Sequence, residues 1–314
     1  MIRVKKHPVK YYVYLAFMAG FWTLLGLLLV FVALGEPTPN DFGVADLIIC
    51  LFGVCFMVLA IVMVRSYARN VPVVTLSDQK ICFDDECYDL EDIRRVSLTG
   101  KVPFKFVINA QKEGAEIRLN NGVKKYVYDD LYLNAWRIKQ FLKKRVVDND
   151  YDFSVSDVST EKVAIVEIGQ LDEYKGSLWF SYRGVLFFAV VVLMIGPLMG
   201  SVKVVSWFGF FALLVFLPLW FLLNSQLMHY FAMSSQYLVV RSHLAFWRRE
   251  MYRLSDVEEV VIESHGRAPH SMRVITKDFK NKKYYGGTLS TKTWRELVKR
   301  LSKTSIRVRN EIDL

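Results

Sequence analysis

The chain has 314 residues, enough for two ordinary globular domains, with 53% apolar residues and a net charge of +10. Its mean hydropathy of +0.23 hides a segregation. The apolar residues fall in four blocks with the charged residues between them, which argues against buried helices in a large soluble core and for segments that use lipid as their solvent.

The first block, 11–34, contains no charged side chain and follows Arg3, Lys5, Lys6 and Lys10. Its start fits a signal peptide, but the apolar stretch is longer than an h-region and no small-x-small site follows, so an uncleaved anchor is expected. The second block, 44–64, has Asp46 near its start and Arg65 closing it. The third and fourth, 184–200 and 204–223, flank Lys203 and contain Pro197 and Pro218, each able to kink a helix. A helix needs about 20 apolar residues to cross roughly 30 Å of hydrocarbon, so four transmembrane helices in two hairpins are predicted. Ala16 with Gly20, and Gly196 with Gly200, have the spacing of small-residue packing pairs.

Basic residues set the orientation. Four precede the first helix, Arg65 and Arg69 follow the second, and Arg183 precedes the third, whereas the loop 35–43 carries only Glu36 and Asp41. The positive-inside rule therefore places both termini and both soluble regions on the cytoplasmic side of an inner (cytoplasmic) membrane. Cys50 and Cys55 fall inside a helix, and Cys82 and Cys87 would be free thiols in a reducing compartment.

The soluble regions match one another. VVTLSDQKICFDDECYDLEDIRRVSL from Val73 aligns without gaps with YLVVRSHLAFWRREMYRLSDVEEVVI from Tyr237, pairing Tyr88 with Tyr252, Leu90 with Leu254 and Asp92 with Asp256. Further on, Trp136–Arg137 corresponds to Trp294–Arg295. An internal repeat follows: basic N-terminus and hairpin (1–70), domain (71–146), acidic linker (147–182), hairpin (183–235), domain (236–314). Short β-rich runs with period two fill each domain. One helix closes it, in the second copy with Ser290, Thr291 and Thr293 as candidate caps and a Trp294, Leu297, Val298, Leu301 packing stripe. Trp136 and Trp294 are both expected to plug their cores.

Antiparallel strands closed by one helix, directly after an apolar hairpin, resemble the bacterial pleckstrin-homology-like membrane proteins. YLVVRSHLAFWRREMYRLSDVEEV and TLSTKTWREL carry the likeness, over 71–146 and 236–308. The resemblance implies an α+β membrane protein: each hairpin is followed by a PH-like barrel or sandwich with a C-terminal helix.

Catalytic signatures are missing. There is no Gly-rich phosphate loop, G-x-S-x-G, H-E-x-x-H or paired CxxC, so no enzyme activity is expected. CFDDEC has no His nearby, and His265 and His270 have no third ligand, so neither a metal nor another cofactor is expected. Charged residues that would mark a transport path are missing from the block interiors. What remains is charge. From Gln236 onward, seventeen Lys and Arg face nine Asp and Glu, an excess of +8. A tethered basic domain meets anionic headgroups before nucleic acid. The candidate headgroup or partner face is Arg248, Arg249, Arg267, His270 and Arg273, with Phe246–Trp247 either interfacial or core. The expected role is regulatory or scaffolding, through anionic lipid or a protein partner; an interaction protein such as a toxin-immunity factor is the alternative. Self-association stays open.

Overall fold

A computed structural model describes residues 2–34, 43–106, 110–154, 170–200, 207–264, 266 and 268–312, with the backbone alone for 197–200 and 207–212. The chain divides into two compact units, Met1–Glu161 and Lys162–Leu314.

In unit 1 the helical pair is inserted between strands. β1 (Ile2–Arg3) precedes α1 (Tyr14–Leu34) and α2 (Val44–Asn70), and β2 (Val74–Leu76) follows them. β1 pairs antiparallel with β2, which continues into β3 (Lys80–Phe83) and β4 (Glu86–Asp89). The N-terminal residues thus form an edge of the domain sheet. His7 caps the turn leading into α1: its Nδ1 accepts from the backbone N–H of Val9 at 3.2 Å and Lys10 at 3.1 Å. Asp46 has the same role in α2, accepting from the Gly43 N–H at 2.9 Å. A charge at a helix start satisfies orphan N–H groups and favours the dipole, which explains the carboxylate at the end of an apolar block.

α1 and α2 touch closely at Gly26 and Gly53. A Cβ on Gly26 would lie 2.6 Å from the Gly53 carbonyl oxygen, and one on Gly53 would lie 2.7 Å from that of Gly26. Only glycine permits this approach, which is how helices associate where lipid removes the hydrophobic drive. Gly20 and Gly196 have no neighbour within 4 Å of such a Cβ among the described residues, so the close approach of α1 and α2 falls on glycines outside the two small-residue pairs that the spacing suggested.

The second sheet of unit 1 centres on β7 (Ala110–Leu119), which pairs with β5 (Ile93–Ser97), β6 (Lys101–Phe104) and β8 (Lys124–Tyr128). α3 (Ala135–Leu142) closes it by burying Ile138, Phe141 and Leu142 against Leu76, Ile81 and Ile117. Cys82 and Cys87 are not free thiols. They face each other across the β3–β4 hairpin, with Cα atoms 4.0 Å apart, and form a disulfide. The antiparallel register puts their side chains on one face of the hairpin, a proximity that sequence spacing alone does not specify.

Unit 2 follows the same order. β9 (Asp172–Tyr174), from the acidic linker, precedes α4 (Tyr182–Gly200) and α5 (Trp207–Leu227) and forms the edge of a sheet ordered β9-β10-β11-β12. Its partners are β10 (His229–Met233), β11 (Tyr237–Ser242) and β12 (Arg249–Arg253). The second sheet has the order β15-β14-β13-β16, from β13 (Val257–Glu263), β14 (Ser271–Thr276), β15 (Asn281–Tyr285) and β16 (Arg307–Asn310), the last running parallel to β13. α6 (Thr291–Leu301) starts at Ser290, whose hydroxyl accepts from the Thr293 N–H at 3.2 Å. It buries Trp294, Leu297 and Leu301 completely.

The expectation of four transmembrane helices is corrected. Among the described residues two helical segments, Pro8–Leu34 and Val44–Asn70, are long and apolar enough to cross a membrane. The other two contribute shorter apolar stretches, Tyr182–Gly196 and Leu213–Leu227. The end of α5 packs into its own domain. Asn224 and Ser225 are buried there, and the Ser242 hydroxyl of β11 donates to the Ser225 carbonyl at 2.9 Å. That last turn belongs to the domain rather than to lipid. Of the predicted α+β architecture with two spanning hairpins, the described residues support one hairpin of spanning length. Residues 35–42, the middle of the acidic linker (155–169) and Lys203 lie outside the described residues.

Candidate interfacial site at the base of α4 and α5

The β11–β12 turn lies against the end of α5. His243 donates its backbone N–H to the Met228 carbonyl at 2.9 Å, and the Trp247 ring lies 6.4 Å from that of Phe221 in α5. Phe246 and Trp247 are not core residues: they are 80% and 62% exposed. Arg248 and Arg249, directly after them, are exposed too. The segment entering α4 ends at the same place, because α4 and α5 run antiparallel, with Trp220 donating to the Phe187 carbonyl at 3.4 Å. That segment exposes Trp179, Phe180 and Tyr182, with Phe180 at 90%. Five exposed aromatic rings and two exposed arginines thus surround the base of the helical pair.

Such a grouping suits a water–lipid boundary. Amphipathic rings settle at headgroup depth and cations are drawn to anionic headgroups. The described apolar faces above it are also exposed, including Val192, Leu193, Val215 and Leu219.

The predicted site residues separate. Arg248 and Arg249 belong to this belt. His270 is half-buried near the start of β14, where its ring meets the edge of Trp294 at 6.3 Å. Arg273 is buried, with its guanidinium 3.1 Å from the Glu263 carboxylate and donating to the Asn281 side-chain oxygen at 3.1 Å. It holds two strands together and cannot meet a headgroup. Arg267, and with it His265, lies outside the described residues.

Behind the turn, Glu250 accepts from the Tyr284 hydroxyl at 2.5 Å and pairs with Lys282. Burial alone would raise the Glu250 carboxyl, but hydrogen bonds from Lys282 and Tyr284 outweigh it and hold the group below its usual range. Burial, with Lys175 and His229 nearby, pushes His243 down to about 4. His229, buried and near the Tyr285 carbonyl, is lowered as well. Both are neutral at neutral pH. No group of three or more His, Cys, Asp or Glu suited to a metal occurs among the described residues.

The sequence left Phe246–Trp247 open between interface and core beside Arg248 and Arg249, and it did not single out Trp179, Phe180 and Tyr182. The signal was present in SLWFSYR, an aromatic cluster just ahead of an apolar block. No family model matches the chain, and neither a curated protein nor a solved structure matches it.

Proposed function

We propose that the chain is a non-enzymatic, membrane-anchored protein that presents two α+β units at a cytoplasmic membrane surface. In this reading α1 and α2 cross the bilayer as one hairpin. α4 and α5 enter the lipid as a shorter apolar pair, and the belt at their base rests among the headgroups. The observation that carries the reading is the exposure of Phe246 and Trp247 beside the end of α5. An aromatic pair left in water at that position would forfeit the burial that stabilises such side chains elsewhere.

The test uses the full chain in nanodiscs containing brominated lipid. Trp247 fluorescence, read as the difference between the chain and its Trp247→Phe variant, should be quenched. In anionic nanodiscs the quenching should weaken on going to high salt, since exposed charges are screened beyond about 10 Å at 0.1 M, and in Arg248→Glu with Arg249→Glu. An unquenched Trp247 would remove the lipid reading and leave a protein partner as the occupant of the belt.

The orientation has its own test. A reporter placed after Leu314 or near Gly100 should report cytoplasm, and one within 37–41 the far side. The β3–β4 disulfide sharpens this test, because disulfides persist in oxidising compartments and cytoplasmic thiols are kept reduced. With unit 1 in the cytoplasm, Cys82 and Cys87 should both accept a thiol label in intact cells. A pair that stays oxidised there would reverse the orientation.

A further inference from the structure

At the other end of β10, about 15 Å along the strand from α5, lies an open cleft of about 600 Å³. Its walls come from three places: the β10–β11 turn, the end of β12, and the residues around the end of α6. Arg253, Arg300 and Lys303 line it together with Ser234, Ser255 and Thr304, and no carboxylate is among the described lining residues. Three cations facing one space repel one another unless an anion lies between them.

Hydrogen bonding points the same way. The Nε atoms of Arg253 and Arg300 are buried and have no hydrogen-bond partner among the described residues. A buried donor without an acceptor costs free energy, and more so for a charged group. Among the described residues Arg300 pairs with Asp172 at long range, its Nη2 lying 3.6 Å from the carboxylate, and this leaves Nε without a partner there. The Ser234 hydroxyl oxygen accepts from the N–H groups of Gln236 and Tyr237, at 3.2 and 3.0 Å, so its own proton is left to donate. The cleft therefore offers donors on several sides and positive charge on three.

We propose that this cleft binds a phosphate group carried by a small anion, with Arg253 and Arg300 as the hydrogen-bonding forks and Lys303 as a point charge. Guanidinium groups match the paired oxygens of a phosphate, which a spherical halide cannot offer, and such charge-assisted bonds are about twice as strong as neutral ones. The site is independent of the aromatic belt, which lies at the opposite end of the same sheet.

The experiment titrates the full chain, in phosphatidylcholine nanodiscs and low-salt phosphate-free buffer, with inorganic phosphate and with glycerol 3-phosphate. Isothermal calorimetry should show saturable binding. Arg253→Gln and Arg300→Gln should each weaken it about tenfold or more, and Lys303→Gln by less. Lys292→Gln, an equal loss of charge outside the cleft, should leave it unchanged. A parallel arm adds vesicles containing phosphatidic acid. Capture of these with no response to the soluble anions would identify a headgroup phosphomonoester as the source, and the same arginines should govern it. Lys303 is exposed, so its variant remains informative if an arginine variant fails to fold. No binding up to about 10 mM in either arm, or binding that Arg300→Gln and Lys303→Gln leave intact, overturns the proposal.

Discussion

The closing helices α3 and α6 carry the same Trp-Arg pair and close the same kind of sheet, yet they bury different things. α6 sets Trp294 fully inside, against Phe231 at 5.5 Å. α3 leaves Trp136 half-exposed, with the Arg137 guanidinium 5.3 Å from the ring centre, and buries Ile138, Lys139 and Phe141 instead. The Lys139 ammonium lies 2.6 Å from Asp129, with both side chains out of water. A shared sequence signature therefore does not fix which face of a helix turns inward. Neighbouring volume decides that, and in unit 1 an ion pair takes up part of the interior.

Hydrogen exchange read by mass spectrometry can follow the two units separately, and it can break this comparison. The largest effect is expected from Lys139→Met, which removes the ammonium from a buried carboxylate and should destabilise unit 1 by about 3–5 kcal/mol. Arg273→Met should cost unit 2 less, because Lys283 stays 3.1 Å from Glu263. Equal losses would mean that the two buried pairs are equivalent after all.

The tryptophans come next. Trp294→Ala should cost about 3–5 kcal/mol, as full aromatic truncations do, and Trp136→Ala under about 2 kcal/mol because its ring is already part-hydrated. A Trp136 variant as damaged as the Trp294 one would restore the symmetric plug that the sequence suggests.

Only unit 1 has a disulfide among the described residues. Compared with the oxidised protein, Cys82→Ser with Cys87→Ser closes no loop in the unfolded chain and should lower unit 1 stability by about 2 kcal/mol, the chain-entropy value for so short a loop. Unit 2 should be unaffected, and any loss there would show that the units are energetically coupled.

Acid should separate the units again. His243 in folded unit 2 titrates at about 4 against an ordinary value of 6.5, so the unfolded state takes the proton first as pH falls. The stabilisation is complete above pH 6.5 and is lost as pH drops through 4. It amounts to roughly 2 kcal/mol once partial exposure is discounted. Unit 1 has only His7, in an exposed cap. His243→Gln should flatten the slope of unit 2 between pH 6.5 and 4, and an unchanged slope would assign it to His229 or the carboxylates.

Much of this architecture was legible along the chain because it depends on local periodicity. The runs 11–34 and 44–64 announced α1 and α2 by length and composition alone. Ser290 with the Trp294, Leu297, Leu301 stripe announced α6 through capping and a 3.6-residue period. Arg248 and Arg249 were found at the surface because they follow two large aromatics in a turn.

The rest depended on contacts distant in sequence. Two short strands, Ile2–Arg3 and Asp172–Tyr174, carry almost no pattern of their own and become edges only because β2 and β10 lie beside them. Cys82 and Cys87 became a disulfide through hairpin register. Arg273 looked like a surface charge and turned inward because Glu263 stands across the β13–β14 ladder to neutralise it. Gly26 and Gly53 are 27 positions apart, and nothing local marks either as a contact point. Periodicity and charge along one segment can be read from that segment alone. Which side chain meets a partner, and which groups are left facing an open cleft, is settled only when distant segments exclude water from one another.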